Sequence, residues 1–335
     1  MHIREKCGLT RFAPAISVLL PVFNGSPYLS EAIESILNQT WKDFELIILN
    51  DGSKDNSAGI VHGYEDPRIR YYEHENIGLG ATLNRGIGLS AGVFIARQDQ
   101  DDISRPERFG RQMTYLTSHP ECVLVGTWAD IWSEERDTGR TLRHPTENAL
   151  IQLDLLFDNP FVHSSVMIRK KSIQEAGGYS VDPMRQPPED FELWSRMSLQ
   201  GEMANIAESL VIYREVGGSM SRTTDPVFWG RVLKICSGNI QAVLGDRYDR
   251  DLIHGAVCLL LNLDSVCNPP GVRQLAALMN DLANVMKKRF PYHGREIRIR
   301  LMEYYYSMLL RIFIRSSGRY VAALRARCCM HLFIR

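Results

Sequence analysis

The 335-residue chain has no run approaching ~18 uninterrupted apolar residues, so no membrane-spanning helix is expected. No Gly-x-Gly-x-x-Gly follows its first predicted strand, and Gly-x-x-x-x-Gly-Lys-[Ser/Thr] occurs nowhere. Both absences disfavour a dinucleotide oxidoreductase and a P-loop enzyme, whose phosphate cradles are built from those glycines. The seven cysteines form no Cys-x-x-Cys pair and no Cys/His metal spacing, and their number is odd. Cys122, Cys236 and Cys258 sit in apolar contexts where buried free thiols are common, which suits a reducing cytosolic compartment. There is no Gly/Ser-rich linker, no repeat unit and no low-complexity segment. Arg4, Lys6 and Arg11 precede an apolar run, as in a secretory signal. Pro21 interrupts that run, Asn24-Gly25 follows, and there is no small-residue cleavage site, so the run reads as a first strand.

What is present is an ordinary globular composition, 44% hydrophobic and 23% charged, long enough for a large domain plus an appendage or for two domains. The zero net charge hides an asymmetry. Residues 231–335 hold 17 Lys+Arg against 7 Asp+Glu, and residues 1–230 hold 22 against 32. A basic tail on an acidic body points to an anionic partner, either a membrane surface or nucleic acid; packing of the two halves on each other is the plainer reading.

The chain is organised around Val93–Ala96, a short buried strand that runs into Arg97-Gln98-Asp99-Gln100-Asp101-Asp102. On an extended chain, residues two apart share a face, so Asp99 and Asp101 can address one ligand. Two close carboxylates repel unless a cation or proton lies between them. A hard divalent cation shared with a substrate phosphate is the natural occupant, and a solvated acidic turn is the plain alternative. Before this stretch, Ala15–Val22, Glu45–Leu49 and Ile69–Tyr72 read as strands. Helices are predicted between them and over Leu79–Leu89, the first with Ser26 as cap and Pro27 at its first position. Alternating strands and helices predict a parallel sheet covered on both faces. The strand ends carry Asn24, Asp51, Asp99 and Asp101, which converge on one crevice in a doubly wound sheet. Asp51 can accept hydrogen bonds from a base or ribose, or simply close its own Asp-Gly-Ser turn.

Further on, Pro106 opens a helix with Phe109, Met113 and Leu116 on one side. Cys122–Trp128, His163–Ile168 and Ile206–Tyr213 read as strands, and Ala149–Phe157 as a helix. After Pro187-Pro188, Glu189 and Asp190 start a helix carrying Phe191, Trp194 and Met197; carboxylates are favoured there by the helix dipole. From about Pro226 the texture is helical. Near the end, Leu301, Tyr304, Tyr305, Met308, Leu309, Ile312 and Phe313 alternate with basic residues. Twelve of these lie between Lys287 and Arg335. That pattern predicts a basic amphipathic helix, set either on anionic lipid or on the body of the protein.

Taken in order, several stretches resemble glycosyltransferase family 2, nucleotide-sugar transferases of the GT-A fold. They are Ser17–Asn24, Asn50-Asp51-Gly52-Ser53, Asn76-Ile77-Gly78 with Asn84, Asp99–Asp102, His163-Ser164-Ser165, Glu189-Asp190 and Tyr213-Arg214. The likeness spans roughly residues 15–215. It departs at Asn50, where Asp is frequent, and at Gln100, where a small residue is frequent. It implies a Rossmann-like, mostly parallel α/β sheet flanked by helices over residues 13–225, followed by a mainly helical region over 226–335. It implies an inverting transfer of a sugar from a nucleoside-diphosphate donor, with uracil the usual base. The acceptor would be a hydroxyl of a glycan or lipid-linked molecule in surface polysaccharide or glycolipid synthesis. Asp51 would hold the base, with Pro21, Val22 and Phe23 lining its pocket and Asn24 and Asn84 nearby. Asp99 would meet the ribose or the metal, and Asp101 would ligate Mg²⁺ or Mn²⁺. Asp190 would be the general base. Glu189, His163 and Arg214 fall on the acceptor side or behind it, and Arg97, Arg169 and Arg214 are candidate phosphate contacts. The expected place is the cytoplasm, peripheral on the inner face of the plasma membrane, with no nucleic-acid partner.

Two other enzyme-fold readings compete. A nucleotidyltransferase would want a basic loop after the first strand, and Phe23-Asn24-Gly25-Ser26 has no Lys or Arg. An inactive sugar-nucleotide-binding or scaffold homologue would not need Asp99, Asp101 and Asp190 intact.

Overall fold

The structure is a computed structural model that describes residues 13–133, 136–216, 224–263 and 269–316. The basic residues Arg4, Lys6, Arg11, Arg319, Arg325, Arg327 and Arg335 lie outside the described residues, as does the side chain of Arg315.

The first half alternates strand and helix: β1 (Ile16–Val22), α1 (Leu29–Leu37), β2 (Phe44–Asp51), α2 (Ser57–His62), β3 (Ile69–His74), α3 (Leu79–Leu89) and β4 (Phe94–Arg97). Their order in the sheet is β3-β2-β1-β4, all parallel. β1 and β4 are neighbours but not consecutive, so the strand order reverses there and leaves a crevice at their carboxyl ends. Beyond β4 the sheet is mixed. β8 (Met167–Arg169) and β6 (Cys122–Ser133) continue antiparallel, β9 (Glu202–Glu215) joins β6 in parallel, and β5 (Ile103–Ser104) closes the edge. β7 (Arg136–Leu142) hangs from β6 as a hairpin.

Every residue of β1 and β2 is buried, because helices cover both faces. Alternate residues therefore feed two cores. Val18, Leu20 and Ile48 pack with Leu29, Ile33 and Ile36 of α1 and with Phe109 of α4 (Arg108–Ser118). Leu19, Ile47, Leu49 and Ile95 pack with Leu83 and Ile87 of α3. A strand buried on both faces reads as a continuous apolar run, which is why these strands stand out in the sequence.

The second core continues through α5 (Asn148–Asp154), α7 (Glu189–Met197) and four long helices: α8 (Pro226–Leu244), α9 (Arg250–Leu261), α10 (Val272–Arg289) and α11 (Gly294–Ser316). α6 (Lys170–Glu175) follows β8. Trp194, Cys236, Val257, Leu278 and Leu301 all belong to this one apolar cluster. α11 is fastened as well by an ion pair to a buried carboxylate. Arg300 donates from Nε and Nη2 to the two oxygens of Asp154, at 2.8 and 2.6 Å, and the Tyr304 hydroxyl donates to the same carboxylate at 3.0 Å.

Several expectations are corrected. Ser26 and Pro27 do not start α1; its cap is Tyr28, and the Ser26 amide instead donates to Asp55. His163–Ser165 is a turn of 3₁₀ helix rather than strand. Cys122 and Cys236 are buried free thiols, but Cys258 is disulfide-bonded. An apolar neighbourhood predicts burial of a cysteine and is silent on its redox state, so the inference to a reducing compartment loses that support. The stripe of the last helix, left open between lipid and the body of the protein, goes in part to the body: Leu301 and Met308 are buried, and Tyr304 is held by Asp154. Among the described residues, no helix is long and apolar enough to cross a membrane.

Candidate active site

The loops after β1, β2 and β4 are tied to one another. Asn24 follows β1 in the left-handed conformation, φ 52°. Its amide donates to Ser53 Oγ at 3.0 Å, and its Oδ1 accepts from the Lys54 amide at 2.8 Å. Gln100, at the middle of the Asp-x-Asp, accepts from the Phe23 amide at 2.9 Å and donates to the Phe23 carbonyl at 3.2 Å. That reciprocal pair gives the unusual Gln a local reason: it stitches the β4 loop to the β1 loop. Gly25 makes room for it, since a Cβ there would sit 2.4 Å from Gln100 Oε1.

Asp51 ends β2 with its carboxylate buried. It accepts from the amides of Ile77 and Gly78 at 2.7 and 3.0 Å, and His74 Nδ1 stands 3.3 Å away. The Asn50-Asp51-Gly52 and Asn76-Ile77-Gly78 stretches thus form one knot. Gly52 takes φ 74°, and a Cβ on it would lie 2.8 Å from the Asn76 amide nitrogen. Pro21 and Val22 are buried in β1, and Phe23 is the exposed member of the three, at 48%. Asn84 spends its amide on the backbone of Tyr179, donating to the carbonyl and accepting from the amide, both at 2.8 Å.

The acidic loop lies on a buried polar platform. Arg108, fully buried, donates to the carbonyls of Arg97 and Val166 and to the side chains of Gln98, Ser104 and Gln112. Gln98 in turn donates to the Asp102 carbonyl at 2.7 Å. Asp99 accepts from Arg97 Nη2 at 2.5 Å and from Ser164 Oγ at 2.6 Å. Burial opposes ionisation of Asp99, but the charge of Arg97 and the hydrogen bonds from Ser164 and Arg97 outweigh it and hold the carboxyl below its ordinary range. Asp101 is the reverse: burial and the charge of Asp99 push it up to about 6. Asp102 is buried; its Oδ1 accepts from the Arg214 amide at 2.9 Å, and its Oδ2 has no partner among the described residues. Arg214 braces the loop from below, reaching the Asp101 carbonyl at 3.3 Å and Glu31 at 2.6 Å.

The second acidic pair opens α7. Asp190 accepts from Asn159 Nδ2 at 2.8 Å and from the Phe191 amide at 2.7 Å. Burial raises its affinity for a proton. Glu189 is buried, and burial together with Asp190 pushes it up to about 7. His163 Nε2 lies 2.9 Å from the Tyr179 hydroxyl, and burial and Arg97 pull the ring down to about 3, so it is a neutral imidazole.

Arg97 joins the two pairs. It is buried, its charge acts on Asp99, Tyr179 and Glu189, and its Nε and Nη1 have no hydrogen-bond partner among the described residues. Asp99 in turn raises Glu189 and Asp190. The predicted residues therefore divide. Asp99, Asp101, His163, Glu189 and Asp190 gather around Arg97; Phe23 and Asn24 flank the β4 loop; Arg214 lies beneath it; Asp51 and Asn84 are engaged in loop-to-loop bonds. Arg169, a candidate phosphate contact, instead donates to the carbonyls of Leu116, His119 and Cys122. Sequence reasoning missed Asn159 and Tyr179, the partners of Asp190 and His163. Asn159-Pro160 signals only a turn, and Gly177-Gly178-Tyr179 only another.

A divalent ion is compatible with the donors present. No three His, Cys, Asp or Glu side chains converge as a ready ligand set among the described residues. Asp101 is nonetheless a hard-oxygen donor whose charge is opposed by Asp99, and a cation would relieve that opposition. Ions such as Mg²⁺ bind through one or two carboxylates and complete their shell with water and substrate phosphate.

The chain superposes on residues 1–349 of S. aureus TarS, solved in complex with UDP-GlcNAc, with a TM-score of 0.58 at 15% identity, covering 88% of this chain and 90% of that one. It is the GT-A fold with a helical C-terminal region. Residues 17–177 match the model of glycosyl transferase family 2. The chain is 34% identical over 204 residues to the amylovoran biosynthesis glycosyltransferase AmsE of Erwinia amylovora, covering 59% of this chain and 75% of AmsE. It is 32% identical over 210 residues to the O-antigen biosynthesis glycosyltransferase WbnJ of Escherichia coli, covering 61% of this chain and 81% of WbnJ. The chain belongs to glycosyltransferase family 2.

Proposed function

We propose that this glycosyltransferase moves a sugar, with inversion, from a nucleoside-diphosphate donor to a hydroxyl of a glycan or lipid-linked acceptor in surface polysaccharide synthesis. The observation that carries this reading is the gathering of two acidic pairs about buried Arg97, one at the end of β4 and one at the start of α7. The names of AmsE and WbnJ support the polysaccharide, and the UDP-GlcNAc bound by TarS supports a uridine donor. Residues 13–225 are the catalytic unit in this reading, and residues from 226 on are its helical buttress.

The donor would lie in the crevice between the β1 and β4 loops. Phe23 offers an exposed ring beside it, and Asp51 and Asn84 fix the loops that form its walls. Asp51 keeps spare acceptor capacity for a base or ribose, since an ionised carboxylate offers about four lone-pair sites. Asp101, with Asp99, would hold Mg²⁺ or Mn²⁺, which when bound supplies Lewis-acid neutralisation of the leaving diphosphate. Asp190 would take the proton from the acceptor hydroxyl. Its two hydrogen bonds, from Asn159 and Phe191, orient the carboxylate while burial raises its basicity. Glu189 sits behind it, and neutral His163 and Arg214 hold the walls. A single base opposite the leaving group gives one displacement and therefore inversion. We place the enzyme in the cytoplasm, at the inner face of the plasma membrane where a lipid-linked acceptor would be found.

The test is release of nucleoside diphosphate from a panel of sugar nucleotides, with and without divalent ions, followed by assignment of the product anomer by NMR. Retained anomeric configuration would sink the single-displacement mechanism. No release from any donor with an acceptor extract and metal present would sink the enzyme.

A further inference from the structure

α11 carries two apolar stripes on opposite sides. Ile297, Leu301 and Met308 point inward and are buried. Ile299, Met302, Tyr306 and Leu310 are exposed, at 52, 50, 58 and 40%. Their spacings of three, four and four residues keep them on one face over three turns. The Arg300–Asp154 bond and the inner stripe fix the helix on the body, so the outer stripe is held toward solvent.

Cations collect at one end of this face. Lys287 and Lys288 lie in the last turn of α10, Arg295 and Arg298 lie in the first turns of α11, and all four are exposed; Arg289 instead turns to the body, lining a cavity with Glu121 and Glu202. None of these four is in an ion pair among the described residues. Tyr292, between the two helices, is 94% exposed. Of the acidic residues here, Glu296 is exposed and Glu303 is tied to Arg300 at 2.9 Å.

We infer that this outer face of α11 is the surface by which the protein rests on an anionic lipid bilayer, with the stripe at the acyl boundary and the cations among the headgroups. Exposed aliphatic and aromatic side chains beside uncompensated Lys and Arg are what such a boundary binds. A second copy of the chain fits less well. A strip about 17 Å long and about 10 Å wide offers under ~200 Å², against roughly 800 Å² per partner in a stable interface. The inference sharpens the peripheral location proposed above and makes no use of donor or metal chemistry.

The test uses the full chain and vesicles of equal parts phosphatidylcholine and phosphatidylglycerol. At low salt the protein should co-sediment with these and not with phosphatidylcholine alone, and ~0.5 M salt should weaken binding because screening then acts within a few ångströms. The triple variant Ile299→Glu, Met302→Glu, Tyr306→Glu should lose about tenfold or more of its binding, with its circular dichroism and nucleoside-diphosphate release in lipid-free solution unchanged. Arg295→Glu with Arg298→Glu should weaken binding while leaving the apolar stripe intact. Full-length protein that ignores anionic vesicles overturns the inference, as does a triple variant that binds like the parent. A parent dimer that the triple variant turns into monomers also overturns it and gives the face to a second copy. Failure of vesicle binding with donor turnover intact would leave the catalytic reading standing.

Discussion

The acidic cluster at the end of β4 and the one at the start of α7 use the same side-chain chemistry and reach different charge states. In the β4 cluster the burden is divided: Asp99 has Arg97 and Ser164 and stays ionised, while Asp101 has no cation of its own and is held up to about 6. In the α7 cluster neither carboxylate forms an ion pair among the described residues, and Arg97 acts on Glu189 only through its charge. Glu189 and Asp190 are both pushed toward the protonated form, and hydrogen bonds, those from Phe191 and Asn159 foremost, favour the charge on Asp190. The first arrangement suits a group that waits for a cation. The second suits a group that accepts a proton, because a base of raised pKa is a better acceptor near neutral pH. Arg97, lying between them, makes each cluster feel the other.

The largest expected effects come from breaking one cluster at a time. Asp101→Ala should reduce transfer to background and abolish the metal-dependent thermal stabilisation by nucleoside diphosphate. Without ligand, above pH ~6, the variant should be at least as stable as the parent, because the lost carboxylate was ionised against its surroundings. Parent activity that survives thorough chelation would remove the metal role. Asp190→Asn should lower transfer by ~10²–10⁴-fold with donor binding nearly unchanged. The new amide keeps the contact with Phe191, and Asn159 can turn its own amide to keep the other. A variant retaining more than about a tenth of the rate would move the base elsewhere, with Glu189 the first candidate.

A change in stability is the next largest effect. Glu189 is raised to about 7 from an ordinary 4.5, so its favourable contribution is full below pH 4.5 and is lost as pH rises through 7. Glu189→Gln removes that dependence. At pH 8 the variant should be more stable than the parent by roughly 1–3 kcal/mol, and the gain should vanish near pH 4.5. Chemical denaturation across that range measures it. An unchanged gap from pH 5 to pH 8 would mean that Glu189 does not titrate there. The same change should move the acid limb of transfer to lower pH, because Asp190 loses a negative neighbour.

Much of this was legible before the fold was known. β1, β2, α3 and α7 announced themselves because strands buried on both faces are continuously apolar and because α7 spaces Phe191, Trp194 and Met197 on one side. The site carboxylates stood out for falling where strands and helices end. What sequence could not supply was partnership. Nothing near Asp51 in the chain reveals that its carboxylate is bonded to the amides of Ile77 and Gly78, nor that Asn84 holds Tyr179 ninety-five residues away. The last helix was left ambiguous for a related reason. Periodicity finds apolar stripes and cannot say which of two opposite stripes meets the core, and here the buried Asp154 fixed the choice through Arg300. Cutting the chain at residue 295 would therefore remove core residues Ile297, Leu301 and Met308 along with any docking face, and point substitutions are the cleaner probe.

The smallest effect tests the stitch that distinguishes the β4 cluster. Gln100→Ala restores the small residue frequent in the family and removes two partly exposed hydrogen bonds, for a loss of about 0.5–1.5 kcal/mol. Donor KM should rise, since the β1 and β4 loops that flank the crevice are no longer joined, while kcat should hold because neither acidic cluster is touched. Gly25→Ala should act through the same bonds: its Cβ would fall 2.4 Å from Gln100 Oε1 and 3.3 Å from Gln100 Cβ, so the flexible Gln side chain would be driven off Phe23. If both substitutions work by breaking one stitch, the double variant should be about as stable as either single variant, because the second change finds nothing left to break. Additive losses would show that Gly25 has its own role in the β1 loop and that Gln100 is a surface residue with an incidental contact.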